Sequence, residues 1–145
     1  MEPVWIAFVC VGNSCRSQMA EGFARTLGGP RVFAVSAGSR PEGVVADAVV
    51  EAMRARGVYI GNQWSKGIED LPDVTWDYVI TLGCGDACAH LQSRFREDWP
   101  IADGRGLDAT ALAPIRDAIE TRVRELLARA LPPAKGIGTA LERVG

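Results

Sequence analysis

Eight residues near the start of the chain, Cys10-Val11-Gly12-Asn13-Ser14-Cys15-Arg16-Ser17, set a thiol, a run of backbone amides, a guanidinium and a hydroxyl around one small space. Those groups suit a tetrahedral oxyanion. Arg16 offers a planar fork that grips two oxygens, and the amides of the loop supply further donors. Gly12 lets the backbone approach a ligand closely, and Asn13 tolerates a left-handed conformation. The same electropositive surroundings favour a thiolate at Cys10, because reactive cysteines in such places titrate at roughly 3.5–7.5 rather than about 8.5. Cys10 is therefore the candidate nucleophile and Arg16 the candidate clamp, with Val11, Gly12, Asn13, Ser14, Cys15 and Ser17 completing the cradle. Cys15 itself is expected to turn its side chain inward as a buried structural thiol. Were Cys10 only an inert residue closing a strand, nothing would call for Arg16 and Ser17 at these offsets.

The flanking elements suit this chemistry. The apolar run Val4–Cys10 reads as a buried strand, and residues 17–27 read as a helix, so the motif is a strand-to-helix turn. A helix N-terminus presents unpaired N–H groups and the positive end of the helix dipole to whatever sits above it.

A second cluster, Thr81-Leu82-Gly83-Cys84-Gly85-Asp86-Ala87-Cys88, follows an expected strand over residues 78–82. In an open α/β sheet the ligand crevice lies at the carboxyl ends of the strands. The second cluster thus belongs to the same sheet edge as Cys10, and its two thiols could reach the first. Two plainer readings stand beside this one. Cys84, Cys88 and His90, the sole histidine, supply only three local ligands for a zinc ion that takes four, and the cysteines could also be inert loop residues.

The first motif, extended to Gly22, resembles the low-molecular-weight tyrosine phosphatase superfamily and, within it, the thioredoxin-coupled arsenate reductases. The phosphatases usually carry a bulkier residue in place of Ser14 and a proline in place of Gln18. The resemblance continues through Val35-Ser36-Ala37-Gly38, Asp77-Tyr78-Val79-Ile80-Thr81-Leu82, Glu97-Asp98-Trp99, Asp103 and Pro114-Ile115-Arg116-Asp117, nearly the whole chain. It implies that arsenate is the substrate and phosphate a competing oxyanion, with no cofactor. It also implies a reaction course: the Cys10 thiolate attacks arsenate, Asp103 protonates the departing oxygen, Cys84 attacks Cys10 in the adduct and releases arsenite, and Cys88 then attacks Cys84. Thioredoxin would reduce the resulting Cys84 to Cys88 disulfide.

This chain departs from the family pattern at three places. The two cysteines are only four positions apart, which leaves open whether Cys84 or Cys88 resolves first. The acid loop reads Ala102-Asp103-Gly104 where Asp-Pro is usual, so Asp103 as a plain turn residue is the competing reading. Some family members hold a potassium ion behind the loop. Asn13, Glu21 and Ser36 match three of its ligands, while Lys66 stands at the fourth, where its ammonium would replace the metal and pair with Glu21. With Ser17, these residues form the expected loop support, with no metal.

The 145 residues, 48% of them apolar, fit one domain spanning residues 1–145. Further expected elements are strands at 31–37 and 95–99, helices at 45–56 and 108–131, and a short helix near Ile68. The alternation predicts an α/β three-layer sandwich, a four-stranded parallel sheet with helices on both faces, as in the low-molecular-weight phosphatases. In the last helix Leu112, Ile115, Ile119, Val123, Leu126 and Leu127 form a core stripe, leaving Arg116, Glu120, Arg124 and Arg129 largely to solvent. A net charge of −2 without a basic block argues against nucleic acid. The short N-terminal apolar run has no basic flank, which argues against a signal peptide or membrane span, so a cytoplasmic enzyme with reduced thiols, a monomer, is expected.

Three other functions compete with thioredoxin-coupled reduction. One is an arsenate transferase that uses only Cys10 with mycothiol or glutathione and a glutaredoxin-like partner. Another is a low-molecular-weight tyrosine phosphatase, although residues 102–107 carry no aromatic side chain to hold a substrate ring. The last is a noncatalytic oxyanion or arsenite sensor, for which the chain shows no DNA-binding element.

Overall fold

The computed structural model describes residues 2–83 and 91–132. Strand β1 (Val4–Cys10) leads into helix α1 (Arg16–Gly28), and β2 (Val32–Gly38) is followed by α2 (Asp47–Ala55). A short 3-10 turn (Ile68–Asp70) precedes β3 (Trp76–Thr81) and β4 (Ser93–Asp98), and α3 (Ala109–Ala130) closes the described chain. The four strands form one parallel sheet in the order β2-β1-β3-β4. Every element expected from the sequence within the described residues is present, displaced by at most two residues at its ends.

The central position of β1 follows from its composition. A parallel strand covered on both faces must be apolar throughout, and Ile6, Ala7, Phe8 and Val9 are wholly excluded from solvent. Residues alternate between faces, so Ile6, Phe8 and Cys10 join a core filled by Met19 and Phe23 of α1, Met53 of α2, and Leu112, Ile119 and Val123 of α3. Ala7 and Val9 face a smaller core with Val79, Trp76 and Ile68. Helical cover on the two faces is unequal: three α-helices share the larger core, and among the described residues the 3-10 turn serves the smaller one.

The charged side chains of α3 correct one expectation. Arg124 and Arg129 are exposed, but Glu120 is buried and receives both Arg56 Nε at 2.8 Å and Arg56 Nη2 at 2.9 Å. Arg116, whose side chain is only 13% exposed, donates to the Ala52 carbonyl at 3.0 Å. The helical periodicity finds the apolar stripe, but it cannot show that the C-terminal end of α2 lies close enough to use the adjacent polar rows.

Chain direction reverses its path across the sheet between β1 and β3, because β2 lies on one side of β1 and β3 on the other. Ligand crevices form at such switch points, outside the carboxyl ends of the strands. The loop after β1 and the residues after β3 both emerge there.

Candidate active site

The loop from Cys10 to Arg16 owes its shape to where its carbonyls go. Ser39 N donates to Cys10 O at 3.1 Å, Arg40 N to Val11 O at 2.8 Å, Glu42 N to Gly12 O at 2.9 Å and Ala46 N to Ser14 O at 3.3 Å. Gln18 Nε2 takes the Asn13 carbonyl at 3.1 Å, and Met19 N takes that of Cys15 at 3.0 Å. In a trans peptide the C=O and the following N–H point in opposite directions. With six consecutive carbonyls engaged on the outside, the amides of residues 11–16 turn to the inside of the turn. This is an anion nest at the N-terminus of α1.

Close approach makes this wrapping possible. A Cβ on Gly38 would lie 2.4 Å from the Val11 carbonyl oxygen, so only glycine lets the end of β2 lie against the loop. Asn13 occupies the left-handed region at φ 49°, as its residue type permits.

Asn13 is also the centre of the support network. Its Oδ1 accepts from Lys66 N at 2.9 Å and Gln18 Nε2 at 2.9 Å, while Nδ2 donates to Ser17 Oγ at 2.8 Å and Ser36 Oγ at 3.0 Å. A main-chain N–H can only donate, so the Lys66 contact fixes which end of the carboxamide is oxygen. Ser36 Oγ in turn donates to Glu21 Oε1 at 2.6 Å. Ser17 Oγ, which accepts from Asn13, also lies 2.8 Å from Cys10 Sγ, and it is the donor of that bond when the sulfur is a thiolate. Asn13 N donates to the same sulfur at 3.3 Å. A thiolate there would receive two hydrogen bonds and the field of the helix end.

Lys66 stands behind this network. Its ammonium lies 3.9 Å from Glu21 Oε1, 3.3 Å from the Trp64 carbonyl oxygen and 4.4 Å from the centre of the Trp64 ring. Glu21 also pairs with Arg25 at 3.1 Å. Burial pushes the Lys66 pKa down from 10.5, opposed chiefly by the Glu21 carboxylate.

Arg16 lies along the floor of the site. Its Nη1 donates to the Ile101 carbonyl at 3.0 Å, and Nη2 lies 3.9 Å from Asp103 Oδ1. Gly83, in the left-handed region at φ 86°, lies directly against the guanidinium, where a Cβ would come within 2.6 Å of Nη1. Asp103 is half exposed, and its Oδ1 accepts from Arg105 N at 3.0 Å. Cys15 is buried beside Gly104, with its pKa raised to about 11 by desolvation first and by Asp103 and Cys10 next. The buried Cys15 expected from the sequence is what the fold contains.

The pocket over the nest is lined by Cys10, Gly12, Asn13, Ser14, Cys15, Arg16, Glu42, Asp103 and Arg105. Sequence reasoning found all of these but Glu42 and Arg105, and it also missed Gln63. The Gln63 amide donates to Gln18 Oε1 at 2.7 Å and so braces Asn13 from behind. No local pattern signals these three. They reach the site through loops that meet only in the folded chain. Cys84, Cys88 and His90 lie outside the described residues.

A parallel α/β sheet with a cysteine at the end of β1, an amide nest and an arginine at the following helix start is an arrangement suited to holding an oxyanion against a thiol. The chain belongs to the low molecular weight phosphotyrosine protein phosphatase family, whose model matches residues 5–135. A curated relative named glutaredoxin arsenate reductase, from Synechocystis sp., is 36% identical over 127 residues, 86% of this chain and 96% of its own. Among solved structures, an arsenate reductase in the phosphate-binding state superposes with a TM-score of 0.79 at 35% identity, covering 87% of this chain and 98% of the other. The thioredoxin-dependent arsenate reductase of Corynebacterium glutamicum superposes with a TM-score of 0.72 at 33% identity, over 88% of this chain and 62% of that one.

Proposed function

We propose that this protein reduces arsenate to arsenite, with Cys10 as nucleophile. The observation that carries the reading is the Cys10 sulfur at the base of the nest, bonded to Ser17 Oγ and Asn13 N and faced by Arg16 within one oxyanion-sized pocket. The arsenate reductases among its relatives, at about 35% identity over most of the chain, supply the substrate.

In this reading the thiolate attacks arsenic while the nest amides and Arg16 take up the charge on the remaining oxygens. Asp103, at the pocket mouth, protonates the departing oxygen, which leaves as water. The Cys84 thiolate then attacks Cys10 Sγ. An S–S bond forms, the S–As bond breaks, and its electron pair remains on arsenic, which leaves as arsenite in the trivalent state. Cys88 attacks Cys84, which frees the Cys10 thiolate and leaves a Cys84 to Cys88 disulfide for a dithiol such as thioredoxin to reduce. Support for that donor is the named dependence of the Corynebacterium relative; the name of the Synechocystis relative points instead to a glutaredoxin. Arsenate and phosphate are the oxyanion partners in this reading. Among the described residues, no helix is long and apolar enough to cross a membrane.

Arsenate-dependent NADPH consumption tests the reading, with thioredoxin and thioredoxin reductase in one arm and a small thiol with its glutaredoxin in the other. Turnover with thioredoxin supports the relay, and turnover only with the small thiol removes Cys88 from the mechanism. Absence of turnover in both arms overturns the reading in favour of phosphate ester hydrolysis. With thioredoxin, Cys84→Ser should block arsenite release, whereas Cys88→Ser should release one arsenite per enzyme and stop.

A further inference from the structure

The mouth of the pocket carries an arrangement that the reaction course above does not use. Glu42 lies against the loop so closely that a Cβ on Gly12 would come within 2.6 Å of its Oε2. Asp103 stands on the pocket lining with it. An anionic ligand entering the nest must therefore pass two carboxylates, which oppose it. Arg105 stands between them: its Nε is 3.4 Å from Glu42 Oε2 and its Nη2 is 3.7 Å from Asp103 Oδ2.

Both separations exceed the roughly 2.7–2.9 Å of a tight charge-assisted hydrogen bond. The guanidinium is held near two carboxylates and bound closely to neither. Its backbone suits a change of partner. Arg105 sits between Gly104 and Gly106, the latter at φ 86°, and Leu107 N donates to Gly104 O at 3.1 Å to close the turn. Gly104 packs against Leu112, which anchors the turn while the Arg105 side chain remains 58% exposed.

We propose that Arg105 is a second oxyanion-binding guanidinium, lining the same pocket as Arg16, and that Glu42 is the positioning residue that holds it near Gly12. Arg105 has two effects: it cancels the carboxylate charge that a doubly charged oxyanion would otherwise meet, and it turns N–H groups to the oxygens that face the mouth. The inference rests on the oxyanion-site reading of the Cys10 loop and extends it to selection of the incoming anion by charge.

The test is calorimetric titration of inorganic phosphate into the full chain, with steady-state arsenate kinetics alongside. Arg105→Gln should weaken phosphate binding about five- to tenfold and raise the KM for arsenate equally, with kcat within about threefold and Tm unchanged. Arg105→Lys should recover only part of the loss, since an ammonium lacks the fork. Glu42→Gln added to Arg105→Gln should tighten phosphate at least about twofold relative to Arg105→Gln alone, because a carboxylate left without its guanidinium is removed. Phosphate affinity unchanged in Arg105→Gln overturns the proposal, as does a fall in kcat at constant KM or a double variant no better than Arg105→Gln. If the native chain binds phosphate without reducing arsenate, the reductase reading fails while the titrations still decide the role of Arg105.

Discussion

Asn13 Nδ2 donates to Ser17 Oγ at 2.8 Å, and the same hydroxyl lies 2.8 Å from the sulfur of Cys10, to which it donates when Cys10 is a thiolate. A hydrogen bond to a charged group contributes about 1.5–3 kcal/mol. Ser17→Ala should therefore slow arsenate turnover roughly 10- to 100-fold. Turnover equal to that of the native chain would show that the nest amides alone hold the thiolate.

Cys15 and Cys10 lie on one loop but should react differently. With its pKa at about 11, Cys15 should resist iodoacetamide below pH 9, while Cys10 is labelled and phosphate protects it, as peptide mass mapping would show. The same shift makes a stability statement. The unfolded thiol ionises at 9.0 and the folded one near 11, so this contribution is complete below pH 9 and is lost as pH rises to about 11. Its size is about 2–3 kcal/mol.

Gly104 sets the position of the loop that carries Asp103. A Cβ there would fall 2.4 Å from Leu112 Cδ2, in a side chain wholly excluded from solvent and unable to yield freely. Gly104→Ala should cost about 1–3 kcal/mol of stability. It should also lower kcat by more than that loss predicts, since Asp103 moves with the turn. Thermal unfolding and single-turnover arsenite release measured on one preparation would separate the two effects.

Lys66 and Glu21 form a buried pair whose members are not equivalent. Glu21 also serves Ser36 and Arg25, so Glu21→Ala should destabilise by about 3–5 kcal/mol, and Lys66→Met by much less. With the ammonium in place, exchanging sodium for potassium should leave activity and Tm unchanged; a strong rise with potassium would show that a cation displaces it. The pH sign is opposite to that of Cys15. Lys66 gives up its proton in the folded state below 10.5, so its contribution improves as pH rises toward 10.5. Lys66→Met should therefore lose stability relative to the native chain as pH rises toward 10.5, as urea titrations at stepped pH would read.

The sequence carries most of the nest and little of its rim. Cys10, Gly12, Asn13 and Arg16 are adjacent in the chain, and a strand-to-helix turn constrains them strongly enough to be read residue by residue. Cys15 was legible because inward and outward positions alternate in so tight a turn. Glu42, Gln63 and Arg105 were not, because each reaches the loop from a segment with no pattern of its own, and only the wrapping of residues 39–46 around the loop carbonyls brings Glu42 over Gly12. The misread polar face of α3 has the same origin. Periodicity assigns Glu120 to the side away from the sheet, and Arg56, at the end of α2, makes that side an interior.

Trp64 is 64% exposed, yet its ring lies over the Lys66 ammonium and its carbonyl accepts from Gln18 Nε2 at 3.0 Å, one hydrogen bond from Asn13. Trp76 and Trp99, by contrast, are sealed in the core. The molecule thus carries an optical probe wired to its nucleophile loop. The Trp64 indole is the one most accessible to iodide quenching, and its emission should respond whenever the Lys66 charge or the Asn13 brace is disturbed, so the state of the nest can be followed by light without a label.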